Sequence, residues 1–593
     1  MAALEPNHSQ SASNRAEHVP ATAQDSFTDG SSEADVSSYH EKAEESQATS
    51  RSEYNNLLHP LRSSRSQRDS RSLQRSGSLS REPTTERSLH AVDDDALAEE
   101  RRDLERTESQ LKGEPISSED EFLVVFESED DPLNPRSLPL WRKWACVLTL
   151  ALGAIAVTCQ SSIYTTTYEQ IIPKFHTNRE VATIGLSSFI FGMGIGPLFL
   201  APLSEFYGRR YVYIISFAVF TVFLVPCAVA KNLATLIVCR FFDGLAGSAF
   251  LSVAGGSVGD LFNREQIAFP MMIYTASPFV GPELGPLLGG FINQYTLWRW
   301  TFYVMLIWSG AVLTAIVIFV PETYHPVLLR KKACQMRKDT GDERWHAAIE
   351  ERTRSVGMTI VRSCYRPMQM LFLEPMCLNL CIFSAILLGI IYLFFGAFNQ
   401  TFGATYNFSI SKIGLSFLGL LVGMVLGVST DPFWRRNFAR LVKQRENEIG
   451  GPVGTYDPEW RLPPAILGAP AVTIGLFIFA WTMYSHVHWI APIIGSGVFG
   501  FGVILVYSGI FTFLVDAYPL YAASALAANS FLRSMFATVF PLFGHQKKVY
   551  SRLGFNWASC LLAFLTLAML PFPYIFYRYG SRIRKRSRFA AVA

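Results

Sequence analysis

The sequence predicts an all-α membrane protein: twelve transmembrane helices in two six-helix pseudo-repeats behind a disordered N-terminal tail. Three observations predict it. The 593 residues are 49 % apolar and only 17 % charged, with 45 Phe and a mean hydropathy of +0.20, against about 25 % charge in an ordinary soluble domain. The charge is also unevenly placed, with a net of −14 over residues 1–140 and +17 over the remainder. Beyond 140 the chain divides into apolar runs of roughly 20 residues, the length a helix needs to cross a bilayer. A single soluble globule is excluded, and overall charge argues against a nucleic-acid binder.

The tail comes first. Residues 1–130 are rich in Ser, Glu, Asp, Arg and Gln, too polar to offset the entropy of ordering, so disorder is expected. Within the Arg/Ser island at 62–81, Arg75-Ser76-Gly77-Ser78 resembles a basophilic kinase site. A kinase acting there would reverse the local charge; the same arginines also suit anionic lipid headgroups. The first apolar run starts only after 140, so no secretory signal peptide is read.

Six spans are predicted near 144–164, 182–203, 211–230, 233–257, 267–292 and 299–320, and six more near 376–398, 411–430, 463–484, 489–514, 521–543 and 555–577. The Pro/Gly-rich 267–292 and Gly-rich 489–514 are the weaker ones by hydropathy. The implied domains are the 1–130 acidic, Ser-rich tail, a 131–322 bundle, a 323–373 linker, a 374–580 bundle and a basic 581–593 terminus. Basic residues set the orientation. Few fall between odd and even spans: Lys174, Arg179, Lys231, Arg299, Lys412, Lys547, Lys548 and Arg552. Arg209 and Arg210, ten Lys/Arg in 323–373, six between Arg435 and Arg461, and six from Arg578 to Arg588 fall on the other side. Both termini and the linker are therefore expected in the cytosol, and Asn407-Phe408-Ser409 in an external loop open to glycosylation.

Both halves carry one signature after their second span. Ala201-Pro-Leu-Ser-Glu205-Phe-Tyr-Gly208-Arg209-Arg210 and Gly427-Val-Ser-Thr-Asp431-Pro-Phe-Trp434-Arg435-Arg436 share a small residue, an acid and an Arg pair at an offset of 226. Two six-span halves joined by a long loop is the arrangement of parallel-repeat secondary carriers.

These features resemble the major facilitator superfamily and, within it, the fungal twelve-span drug:proton antiporter branch. The resemblance covers roughly 131–580. Asp131-Pro-Leu-Asn-Pro135 with Trp141-Arg-Lys-Trp144 resembles the branch's pre-span segment. The 201–210 stretch resembles the loop motif G-x-L-A-D-R-x-G-R-R, departing at Ala201, Glu205 and Phe206. Arg240-Phe-Phe-Asp243-Gly244-Leu-Ala-Gly247 resembles the fourth-span motif, and Gly281-Pro282-Glu-Leu-Gly285-Pro286-Leu-Leu-Gly289-Gly290 the fifth-span antiporter motif. Leu297-Trp298-Arg299-Trp300, Pro321-Glu322-Thr323-Tyr324 and Asn529-Ser-Phe-Leu-Arg533 complete the series. The resemblance implies proton-coupled efflux of small organic compounds (drugs, toxins or secondary metabolites) by a monomer in a fungal plasma membrane, with the vacuolar membrane an alternative.

Read as chemistry, Gly281, Gly285 and Gly289 fall every fourth residue on one helix face, where small residues let backbones approach. Pro278, Pro282 and Pro286 bend the same helix, so a hinge or seal between the halves is expected. Ionisable groups inside spans are costly and therefore functional candidates. Asp243 and Glu283 are the candidate proton carriers, with Arg240 as the responding charge; a static Arg240–Asp243 pair is the plainer alternative. Glu205, Arg209, Arg210, Asp431 and Arg435 are candidate members of a cytosolic latch. Tyr164, Tyr274, Phe394, Phe398, Tyr507 and Arg533 are candidates for the substrate cavity, with Phe395 and Phe511 beside them. Cys377 and Cys381 are spaced for one helix face but lack companion ligands, so no metal and no cofactor is expected. His486 and His488 are placed at an external loop edge.

Other classes stay in view. No metal cluster, nucleophile elbow or phosphate loop supports a membrane enzyme, and Gly495-Ser-Gly497-Val-Phe-Gly500 lies inside an apolar run with no strand before it. A membrane nutrient sensor, a polyamine transporter and a proton-coupled uptake symporter remain as alternatives.

Overall fold

The computed structural model describes residues 122–126, 131–263, 266–350, 356–449, 456–544, 547–585, 587 and 589–590. The Arg75–Ser78 motif, Arg586, Arg588 and the side chains of Lys547, Lys548 and Arg552 lie outside that description. The first half comprises α1 (Leu140–Ile163), α2 (Arg179–Tyr207), α3 (Arg209–Ala228), α4 (Leu233–Gly247, extended by Ala249–Ser252 and Ala254–Leu261), α5 (Ala268–Tyr295) and α6 (Trp298–Phe319). Two linker helices follow, α7 (His325–Thr340) and α8 (Val356–Leu373). The second half comprises α9 (Pro375–Tyr406), α10 (Ile410–Ser429), α12 (Pro463–Thr482), α13 (Ile490–Ala517), α14 (Ala522–Gly544) and a last span from α15 (Lys547–Met569) into α16 (Pro571–Arg584). An amphipathic helix, α11 (Asp431–Ile449), is inserted after α10.

Local chemistry sets the breaks. Gly208, at φ 92°, turns the chain between α2 and α3, a conformation that disfavours a side chain. The Asn232 side chain accepts a hydrogen bond from Thr235 N at 2.8 Å and caps α4. Asn407 ends α9 in the left-handed region. Among the described residues, ten spans are long and apolar enough to cross a membrane by composition. α5, with its prolines and glycines, and α14, with Asn529, Ser534 and Arg533, are not among them. α13 meets the criterion despite its glycines, because Val, Ile, Leu and Phe fill the rest of the helix.

Within the halves, α1 packs on α5, α2 on α4, α9 on α14, and α13 on both α10 and α12. The halves meet along two seams, α5 with α10 and α2 with α14. α8 lies across α2 and α14, burying Pro367, Met370 and Leu371 and exposing Val361, Tyr365 and Phe372.

Residues 122–126, within the stretch expected to be disordered, pair with the linker instead. Val124 N donates to His346 O at 2.9 Å and His346 N donates to Phe122 O at 3.1 Å. Val124 packs with Ala333 and Ala347, and Lys332 pairs with Asp131 at 2.8 Å. The apolar run Phe122-Leu-Val-Val-Phe126 supplies the buried surface that the more polar tail lacks.

Candidate functional site

Arg240 and Asp243 sit on α4, and both are fully buried. Arg240 Nε donates to Gly185 O at 2.8 Å, and its Nη2 to the carbonyls of Gln160 and Ser161, each at 3.2 Å. The guanidinium lies 4.2 Å from the Tyr164 ring centre and 4.9 Å from that of Phe189. No ion pair joins Arg240 to Asp243, because the arginine is spent on backbone carbonyls of α1 and α2. The side-chain amide of Gln160 is the polar group that faces the Asp243 carboxyl. Glu283 on α5 is 1 % exposed, and its two oxygens are unpartnered.

Tyr392 of α9 brings these groups to the second half. Its hydroxyl is 2.9 Å from Ser161 Oγ, and Glu283, Arg533 and Arg240 lie in its surroundings. Beside it runs an aromatic chain across the halves. Phe279 of α5 stacks on Tyr507 of α13 at 5.0 Å, and Tyr507 on Phe511 at 5.6 Å. Arg533 of α14 covers both rings of α13, at 5.3 Å and 4.9 Å. A cleft of about 450 Å³ reaches Phe279 from the side bearing the chain ends; Leu148, Leu152, Met272, Val425 and Ile504 help wall it.

The other sequence-nominated cavity residues lie elsewhere. Tyr164 donates to Ala182 O at 3.0 Å and packs against Arg240. Tyr274 donates to Phe250 O at 3.0 Å within the first half. Phe394 and Phe398 join Phe479 in the packed core of the second half; Phe499 meets Phe394 edge-on and Phe417 packs at a tilt against Phe398. Phe279, absent from the sequence nominations, lines the cleft. Its only sequence signal was its place one residue after Pro278 in the fifth-span run.

The glycine run divides by face. Methyl groups at Gly281, Gly285 and Gly289 would strike Thr158 and Ser162 of α1 and Thr166 in the turn just after it, so this stripe closes a contact inside one half. The contact between halves belongs to the neighbouring stripe. Gly290 faces Ile410 and Ser411, while Gly414 faces the Pro286 carbonyl. Ser411 N donates to Gln294 Oε1 at 2.9 Å, and Ser187 Oγ to Thr538 O at 2.7 Å. The two seams thus close on the face opposite the chain ends, while the cleft lies toward the other.

At the chain-end face, Arg209 Nε donates to Asp260 at 2.6 Å. Glu322 accepts from the backbone amides of Arg209 and Arg210 at 2.9 and 3.2 Å, a carboxylate at the start of α3. Arg210 reaches the Val317 carbonyl at 3.1 Å. Glu205 stands exposed on the last turn of α2. In the second half, Asp431 pairs with Arg435 one turn along α11, and Arg435 reaches across to Ala268 O at 2.8 Å. The counterpart of Arg209–Asp260 is Arg461–Asp516 at 2.7 Å, beside Arg584 bonded to Glu459 at 2.8 and 2.9 Å. Trp434 stands where the first half has Gly208, so the sharp turn is replaced by a helix.

Asn407 is exposed at the end of α9. Cys377 and Cys381 lie 3.8 Å apart in sulfur distance, and the described residues contain no group of His, Cys, Asp and Glu suited to a metal. Outside the spans, burial and then the Arg136 charge push the His325 imidazole down to about 4.

Two six-helix halves with a cleft between α1, α5, α10 and α13, and with carboxyls buried inside the spans, define a membrane carrier rather than an enzyme. Residues 150–541 match the Major Facilitator Superfamily, and the chain belongs to that family. It is 55 % identical over 473 residues to "Efflux pump atB" of Aspergillus terreus, covering 80 % of this chain and 91 % of that protein. It is 41 % identical over 513 residues to "Probable drug/proton antiporter YHK8" of Saccharomyces cerevisiae, covering 86 % and 96 % respectively. The fold is similar to that of the xylose transporter XylE from E. coli, in a partially occluded inward-open conformation, at TM-score 0.52 and 14 % identity over 74 % of this chain and 99 % of that one.

Proposed function

We propose that this protein exports small organic compounds in exchange for protons, by alternating access, in the plasma membrane with both termini in the cytosol. The single observation that carries the reading is the pair of carboxyl groups, Asp243 and Glu283, buried in the bundle with no ion pair among the described residues, Glu283 also lacking any hydrogen-bond partner. A proton is the one cargo that both can accept there without new space. With the termini cytosolic, the cleft lies toward the cytosol, the side from which an exporter loads. Relatives named as an efflux pump and a drug/proton antiporter support the same direction. Arg209, Asp260 and Glu322 hold the cytosolic ends of the first half together, and Arg461 and Asp516 those of the second. Asn407 is then open to glycosylation, and the tail to a kinase.

The test uses purified protein in liposomes and a panel of fluorescent aromatic amphiphiles under an imposed pH gradient. Dye moving against the proton flow is expected. Dye moving with the protons would make the carrier a symporter. Binding without flux under any gradient would make it a sensor.

A further inference from the structure

Arg533 is an always-charged group held inside the bundle with no carboxylate paired to it among the described residues. An uncompensated guanidinium in such a place is costly unless something arrives to answer it. Arg240 also leaves one nitrogen, Nη1, without an acceptor, but it is fully buried, and carbonyls take its Nε and Nη2. Arg533 differs in its exposure and in the lack of carbonyls around it. It is half-buried, and its Nε has no acceptor. One turn earlier on α14, Asn529 donates its amide to Ser384 Oγ at 2.9 Å and leaves its carbonyl oxygen unpaired. Tyr507 and Phe511 form a flat wall beneath the guanidinium, and Phe279 continues that wall to the apolar cleft.

From this juxtaposition we infer that Arg533, Asn529, Tyr507 and Phe511 form a recognition subsite for an organic anion, an aromatic carboxylic acid being the matching class. The inference rests on the export reading and names its cargo. The acid's carboxylate bonds the planar guanidinium, whose fork suits it. Its ring continues the stack through Tyr507 towards Phe279, where aromatic faces prefer offset contact. A hydroxyl beside the carboxylate donates to Asn529. An ammonium compound meets the Arg533 charge and is repelled, and a neutral amide gains only the stack.

The test is binding of three compounds with one ring system to the full-length protein in nanodiscs at neutral pH, with no gradient: 2-naphthoate, 2-naphthamide and 2-naphthylmethylammonium. The naphthoate is expected to bind at least about tenfold tighter than either of the others. Arg533→Gln should bring naphthoate to the affinity of the amide while amide binding stays within about twofold, and Arg533→Lys should keep part of the preference. Equal binding of the three, tighter binding of the ammonium, no binding of any by the wild-type protein, or a preference that survives Arg533→Gln overturns the subsite. If Arg533→Gln does not fold, the wild-type comparison still decides. The gradient experiment separates the two readings. Naphthoate preference without gradient-driven flux keeps the subsite and removes proton-coupled export; flux without preference does the reverse.

Discussion

Gly285 and Gly290 lie five residues apart on α5 but face different partners, so their alanine variants separate packing from gating. A methyl at Gly285 meets Ile163 N at 2.7 Å and Cys159 O at 2.9 Å, both on α1. One at Gly290 meets Ile410 O at 2.9 Å and the Cα atoms of Ser411 and Gly414 at 3.3 and 3.4 Å, all on α10. Overpacking of this kind costs roughly 1–3 kcal/mol. The Gly285 contact lies within one half and travels through the transport cycle with it. Its cost falls on stability, and a lowered melting temperature is expected. The Gly290 contact exists only while the face opposite the chain ends is closed. Its cost falls on that state alone, and about 1.4 kcal/mol moves the population tenfold toward the alternative. The assay is maleimide labelling of a cysteine placed at Ser187, which is buried in the other seam on the same face. Labelling from that face should rise about tenfold in Gly290→Ala and stay unchanged in Gly285→Ala. Increased labelling in Gly285→Ala, or none in Gly290→Ala, would refute the assignment of the two stripes.

Glu283→Gln is expected to abolish gradient-driven dye movement while exchange of the same dye down its own concentration gradient continues; normal gradient-driven transport would remove Glu283 from proton coupling. Asp516→Asn, which strips a carboxylate from Arg461, should destabilise the protein by roughly 1.5–3 kcal/mol, whereas Arg435→Ala, at a more exposed pair, should cost under about 1 kcal/mol. Thermal unfolding of the two variants checks this, and the opposite order would return the latch to α11. His325 is neutral when folded, with its pKa at about 4 against an ordinary 6.5. Between those values the unfolded chain binds a proton that the folded chain does not, so the packing around α7 weakens as pH falls from 6.5 toward 4. The slope is at most about 1.4 kcal/mol per pH unit; amide exchange in α7 should accelerate over that window, and His325→Gln should remove the dependence.

The twelve spans and their two-fold repetition were legible because both are written in composition and in the positions of arginines. The placement of Arg240, Asp243 and Glu283 was legible for the same reason: a charge inside an apolar run announces itself. What a residue faces was not legible. Gly289 and Gly290 are neighbours in sequence, yet one meets α1 and the other α10, and only the packing of three helices decides between them. Asp260 and Glu322 answer Arg209 from distances of 51 and 113 residues along the chain. The repeated signature at Asp431 and Arg435 pointed to a second latch, but the absence of a glycine at position 434 let the chain continue as α11. The partner of Asp516 then comes from Arg461, at the start of the next span.

The two halves agree at the chain-end face and differ in the core, and the difference fits the proposed cycle. Each half ties the beginning of its third span to the end of its fourth through one arginine and one aspartate, Arg209–Asp260 and Arg461–Asp516. Matching ties let both halves move as rigid bodies. Inside, Asp243 and Glu283 belong to the first half, whereas Arg533 and its aromatic wall belong to the second. Proton and cargo sites on opposite halves need a physical link, and the direct bridges near the centre are Tyr392 to Ser161 and Phe279 to Tyr507. Both are made across the surface along which the halves would rock. A change of charge at Glu283 would therefore be felt at Tyr392 and at the edge of the Arg533 subsite before any helix moves. Removing the bridge with Tyr392→Phe should leave naphthoate binding intact and weaken its response to pH. If binding by that variant keeps the wild-type pH response, the link runs elsewhere.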